Sequence, residues 1–112
     1  MTITKAESRV VRFDSPDLID MGSKEPRRSE FVILELETDE GIRGIGLTFF
    51  GGPLNRVQKE TIDALAAMII GEDPMHVEAL SSKLLRATGA GPGGMVMLAV
   101  SAIDIALWDI KG

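Results

Sequence analysis

The sequence contains no cysteine and no tyrosine, and only one histidine and one tryptophan among its 112 residues. Without cysteine there is no disulfide, no thiol nucleophile and no Cys-ligated metal centre. That usage fits a reducing compartment, and a cytoplasmic location is expected. A lone histidine supplies neither a metal site nor a base–nucleophile pair without further groups. Aromatic residues are only 4% of the chain, so aliphatic side chains have to build the core. No apolar run is long enough to span a bilayer, because the longest, Met95 to Leu107, is interrupted by Ser101 and Asp104. The N-terminus carries Lys5, Glu7 and Arg9 where a signal peptide needs an apolar segment. Positive charge is also short. Twelve Lys and Arg against 17 Asp and Glu leave a net charge of −5, so neither nucleic acid nor an anionic membrane is an expected partner.

What remains is one domain's length of chain, 45% hydrophobic and 26% charged, a balance that excludes disorder. Its first half alternates as strands do. Ile3 to Phe13 alternates loosely, with Ile3, Val11 and Phe13 on one parity and Ala6 and Val10 on the other. Ser29 to Thr38 is clearer: Val32, Leu34 and Leu36 share one face, and Phe31, Ile33, Glu35 and Glu37 the other. The turn Thr38-Asp39-Glu40-Gly41 leads into Ile42 to Phe49, making an antiparallel hairpin with Gly41 in the left-handed position. Gly44 and Gly46 share one face of the third strand, which leaves room for close packing there. Between strands one and two, Asp14 to Arg28 shows no period over a length usual for functional loops.

The second half reads as helices. Leu54, Val57, Ile62, Leu65, Ala66 and Ile69 keep helical spacing after Pro53, and Gly71 follows as a C-terminal cap. Asp73-Pro74 reads as the opening of a second helix through Val77, Leu80, Leu84 and Ala87. Gly89 to Gly94 breaks it. The third helix, Met95 to Lys111, is apolar nearly all round, with Met95, Leu98, Ala102 and Ala106 on one side and Val96, Val100, Ile103, Leu107 and Ile110 on the other. Such a helix has to be covered on every side. The predicted fold class is α+β, a three-stranded antiparallel sheet followed by three helices.

Several patterns invite chemistry but fit plainer structural roles. Gly89, Gly91 and Gly94 fit G-x-G-x-x-G, but a helix precedes them where a phosphate loop needs a strand, and Pro92 removes an amide donor. His76 reads as part of a solvated helix face. Glu35 and Glu37 read as the wet side of a hairpin rather than an acid–base pair. Asp104 and Asp109 sit in an otherwise apolar helix, where a structural hydrogen bond or ion pair explains them better than catalysis. Thr48-Phe49-Phe50-Gly51-Gly52-Pro53 gathers two of the four phenylalanines at a strand end, and serves equally as a pocket wall or a core plug.

The stretch Glu35-Leu-Glu-Thr-Asp-Glu-Gly-Ile-Arg-Gly-Ile-Gly-Leu-Thr48, followed by three helices and Ser101-Ala-Ile-Asp-Ile-Ala-Leu-Trp-Asp-Ile-Lys-Gly112, resembles a known domain. It is similar to the N-terminal capping domain of the mandelate racemase/muconate lactonizing branch of the enolase superfamily, over nearly the whole of residues 1–112. The resemblance implies a (β/α)-barrel following the cap and absent from this chain. In that barrel, carboxylates bind Mg²⁺, and Lys or His bases remove the proton α to a substrate carboxylate. It implies a small carboxylate substrate, with sugar-acid dehydration or racemisation as the reaction, and a homo-oligomer. No catalytic residue and no metal ligand is expected in residues 1–112, so the cap alone is expected to be inactive. The resemblance does imply substrate-shaping loops, carried here by Leu18, Ile19 and Met21 and by Thr48, Phe49, Phe50 and Gly51. Gly22, Gly51 and Gly52 would let those loops move, Arg27 or Arg28 could meet an acidic substrate, and Asp109 with the surplus apolar surface of the third helix would meet the barrel. The alternative is a standalone α+β binding or oligomerisation module without catalysis.

Overall fold

A computed structural model describes residues 1–15, 27–49, 53–87 and 94–112, with residues 13–15 and 27–29 as backbone only. Three strands, β1 (Ile3–Ser15), β2 (Arg27–Thr38) and β3 (Arg43–Thr48), form an antiparallel meander in the order β1-β2-β3. Three helices follow, α1 (Leu54–Ala67), α2 (Val77–Ala87) and α3 (Gly94–Lys111), and they cover one face of the sheet. This is the α+β order that the sequence pattern predicts.

The covered face is the one the alternation in β2 marks. Val32, Leu34 and Leu36 are fully buried, and Ile62, Ile69, Leu84, Ile103 and Leu107 close over them from the helices. β1 departs from simple alternation. A register shift between Ile3 and Lys5 sets Ile3 opposite Thr38, on the face shared by Ala6, Ser8 and Val10 rather than with Val11. One extra residue reverses which side of the sheet a side chain takes, so the buried Ile3 escapes a period-two reading. At the hairpin, the Thr38 amide donates to the Ile42 carbonyl at 3.0 Å and the Gly41 amide to the Thr38 carbonyl at 3.1 Å. Gly41 sits at φ +78°, which glycine adopts without strain.

The glycines of β3 set how closely α3 approaches the sheet. A Cβ on Gly46 would lie 1.8 Å from the Ala102 carbonyl oxygen, and one on Gly44 would lie 2.1 Å from that of Ala106. Helix backbone therefore rests directly on strand backbone. Ala102 and Ala106 belong to this seam, together with the buried Ala99, Val100, Ile103, Leu107 and Ile110. Leu98, expected beside Ala102, turns outward with Met97, Ile105 and Trp108.

Two helix starts differ from the sequence reading. In α1, Leu54 and Val57 are exposed, and the buried stripe begins instead with Asn55 and Gln58 before Ile62, Leu65 and Ala66. The polar pair lies on the sheet-facing side of the helix, one turn before the apolar stripe. α2 opens at Val77 rather than at Asp73-Pro74. Asp73 spends its side chain on a local turn, where its Oδ1 accepts from the Met75 amide at 2.9 Å and its carbonyl from the His76 amide at 3.2 Å. Beyond α1, Gly71 takes φ +89°, and its amide donates to the Ile3 carbonyl at 2.8 Å. The Ile3 amide donates in turn to the Glu72 carbonyl at 2.9 Å, tying the α1–α2 connection to β1.

Candidate functional site

Element directions bring several strand and helix ends to one end of the domain. The β1–β2 strand pair ends at Ser15 opposite Arg27, and β3 ends at Thr48 opposite Val32. α1 begins at the same end, with Asn55 Nδ2 donating to the Glu30 carbonyl at 3.4 Å. α3 runs antiparallel to β3, because Gly44 faces Ala106 and Gly46 faces Ala102, so its first turn also lies there. α2 runs antiparallel to α3: His76 and Glu78 share a groove with Trp108 and Lys111, and the Ser81 hydroxyl donates to Asp104 Oδ1 at 2.9 Å. The chain leaves and re-enters the described residues three times, after Ser15, Phe49 and Ala87, and each time at this end.

Of the seven residues expected to shape a substrate site, two are described. Thr48 is buried on the inner face of β3. Phe49 is 59% exposed and meets the Phe31 ring edge-on, with centroids 6.2 Å apart and planes at 78°. Phe49 is thus a surface wall rather than a core plug. Leu18, Ile19, Met21, Phe50 and Gly51 lie outside the described residues, as do Gly22 and Gly52. Arg27 and Arg28 pair in backbone register with Ser15 and Asp14, which shortens the expected loop to residues 16–26, while their side chains lie outside the description.

Beside Phe49's strand end, on the helix-bearing side of the sheet, a cleft of about 720 Å³ is lined by Val10, Arg12, Glu30, Pro53 and Arg56. Arg12 is committed to Glu30, whose Oε1 accepts from Nε at 3.1 Å and lies 2.9 Å from Nη2. The two residues face each other across the β1–β2 ladder. Arg56, exposed in the first turn of α1, pairs with no described residue. Nothing in the linear pattern groups these three charges. Arg12 reads as one wet strand position and Arg56 as ordinary helix surface, and only strand register and helix placement unite them.

The remaining candidates resolve as structure. Glu35 and Glu37 are bridged by Arg43, at 3.2 and 3.6 Å. Asp104 accepts from Ser81, and Asp109 Oδ2 accepts from the Ile45 amide at 2.9 Å. That amide points away from β2, so Asp109 satisfies an open strand edge within this domain instead of serving a barrel contact. His76 is exposed. Two groups titrate away from their ordinary values. The Thr2 amide, donating to Asp39 at 2.9 Å, holds the Asp39 carboxyl down, and the hydrogen bond from Lys59 to Asp63 at 2.8 Å holds the Lys59 ammonium up. Ser8 also donates to Asp63. Among the described residues no three His, Asp or Glu side chains gather as metal ligands, so this donor set does not fit an oxygen-loving Mg²⁺. No described helix is long and apolar enough to cross a membrane.

Comparison with known proteins gives this architecture a family. Residues 4–112 match the N-terminal domain of mandelate racemase/muconate lactonizing enzyme. The sequence is 40% identical over 80 residues to a D-galactonate dehydratase family member from Marinomonas sp., covering 71% of this chain and 20% of that protein. It is 39% identical over 82 residues to a D-galactonate dehydratase from Xanthomonas euvesicatoria, covering 73% of this chain and 21% of that protein. The chain thus spans about a fifth of the length of the curated relatives it matches. Among solved structures, an L-talarate dehydratase from Polaromonas sp., complexed with Mg and L-glucarate, superposes with a TM-score of 0.82 at 28% identity. That superposition covers 98% of this chain and 31% of the other. The chain belongs to the mandelate racemase/muconate lactonizing enzyme family, within the enolase superfamily, and has the fold of its N-terminal domain.

Proposed function

We propose that this chain is the substrate-specificity cap of a Mg²⁺-dependent sugar-acid dehydratase, an enzyme that abstracts the proton α to a carboxylate. The observation that carries the reading is the strip Met97, Leu98, Ile105 and Trp108 along α3, with Trp108 48% exposed. A free-standing domain of this size gains by burying such a strip, and a neighbouring barrel domain covers it. The relatives supply the chemistry: D-galactonate dehydratases in sequence, and an L-talarate dehydratase holding Mg and L-glucarate in structure. The metal and the proton-transfer groups belong to the barrel, and no step of that reaction is assigned to residues of this chain. What the chain contributes is the wall above the reaction. The ends of β1, β3 and α2 present their connections on one side, and closure of such segments over a site excludes water and strengthens electrostatics within it. Location in the cytoplasm and assembly as a homo-oligomer complete the reading.

The experiment is to produce the chain alone and joined to its barrel. Alone it self-associates in light scattering and forms no 2-keto acid from galactonate or galactarate. Joined to the barrel it is dispersed, and it dehydrates a sugar acid in a Mg²⁺-dependent manner. A stable monomer of the isolated chain would count against the reading and favour a standalone module.

A further inference from the structure

The reading above leaves open which sugar acids the enzyme takes. Sugar acids differ at the end remote from the reacting carbon: aldonates end in a hydroxymethyl group and aldarates in a second carboxylate. We propose that the cleft between β1, β2 and α1 receives that second carboxylate, with Arg56 as the group that binds it; this rests on the cap reading. The cleft, at about 720 Å³, is of the size that holds small ligands. It opens at the end of the sheet where Thr48 and Phe49 lie. Of its three charges, Arg12 and Glu30 neutralise each other, and Glu30 Oε1 already takes two contacts from Arg12. Arg56 has no described partner, even though Glu60 stands one helical turn along on α1. Among the described residues, the cleft therefore carries one uncompensated positive charge, in a chain of net charge −5. A guanidinium is suited to this task because its forked donors match a carboxylate in pairs. Val10 and Pro53 supply apolar walls that lower the competition from water. A hydroxymethyl group gains nothing comparable from the same site. Arg56 thus acts as a selector between diacid and monoacid substrates, without touching the reacting carbon.

The test uses the full-length enzyme with Arg56→Gln and Arg56→Lys, assayed on galactarate and on galactonate. Arg56→Gln lowers kcat/KM for galactarate about 10- to 100-fold, the size of one charge-assisted pair, and leaves galactonate unchanged. Arg56→Lys recovers part of the loss. Equal loss on both substrates, or no loss on either, overturns the assignment of Arg56 while leaving the cap reading intact. Calorimetric titration of the metal-free enzyme with each sugar acid separates the two claims. If the wild type turns over neither acid yet binds galactarate more tightly than galactonate in an Arg56-dependent way, the dehydratase reading fails and the diacid site stands. Arg56-independent binding overturns the site.

Discussion

Replacing Gly46 by alanine adds one methyl group at the point where α3 lies against β3. That methyl would sit 1.8 Å from the Ala102 carbonyl oxygen, 2.8 Å from its carbonyl carbon and 3.2 Å from the Ala106 amide nitrogen. A carbon normally stays about 3.3 Å or more from a carbonyl oxygen, so strand and helix have to part by about 1.5 Å. Both contacts are backbone, and no rotamer change relieves them. Parting them loosens Val100, Ile103 and Leu107, which α3 holds in the core. Overpacking of this kind costs about 1–3 kcal/mol, and the rigid neighbours place Gly46→Ala at the upper end. Stiffening of the unfolded chain returns about 0.4–1 kcal/mol, leaving a net loss of about 2 kcal/mol. In a domain of this size that lowers Tm by about 8–16 °C. Gly94→Ala is the control: it meets nothing within 4 Å and needs no positive φ, so it stays within about 0.5 kcal/mol of wild type. Urea unfolding followed by circular dichroism at 222 nm reads both variants. Equal midpoints for Gly46→Ala and Gly94→Ala would refute the backbone-on-backbone seam.

Gln58 is fully buried, and neither its Nε2 nor its Oε1 has a hydrogen-bond partner among the described residues. Gln58→Leu removes an unsatisfied amide costing about 1–3 kcal/mol and should raise the urea midpoint, whereas a lower midpoint would show that the amide is bonded. Asp109→Ala leaves the edge amide of Ile45 without its acceptor. Hydrogen exchange at Ile45 should then quicken and stability fall by about 1 kcal/mol, with Asp109→Asn restoring protection; unchanged exchange would exclude the bond. The Asp39 carboxyl titrates below its ordinary value of 3.8 because of the Thr2 amide. Its contribution to stability is therefore complete above pH 3.8 and fades as pH falls through the lower folded value. NMR titration of the Asp39 carboxyl should give a midpoint below 3.8, and a midpoint at or above it would contradict the Thr2 contact.

The hairpin was legible because β2 repeats every two residues and Gly41 meets a local geometric need. The close approach at Gly44 and Gly46 was legible too, since two glycines on one strand face leave no side chain to hold a packing element away. What the pattern concealed depended on partners distant in sequence. Ile3 changes face through a register shift that no single strand displays. Asn55 and Gln58 are buried by helix placement, against their polarity. The outward strip of α3 cannot be told from its inward stripe while both are apolar. At the candidate site, Phe49 stood out by composition, but the Arg12–Glu30 pair exists only across the ladder. Arg56 joins them only when α1 is laid on the sheet.

The central claim, that this domain caps a sugar-acid dehydratase, is tested most directly by reading the gene beyond the Gly112 codon and assaying its whole product. The account predicts an open frame encoding a barrel domain of about 250 residues. It also predicts Mg²⁺-dependent formation of a 2-keto acid from galactonate or galactarate by that product, and none by residues 1–112. A frame that closes at Gly112, or dehydration by residues 1–112 alone, would contradict it.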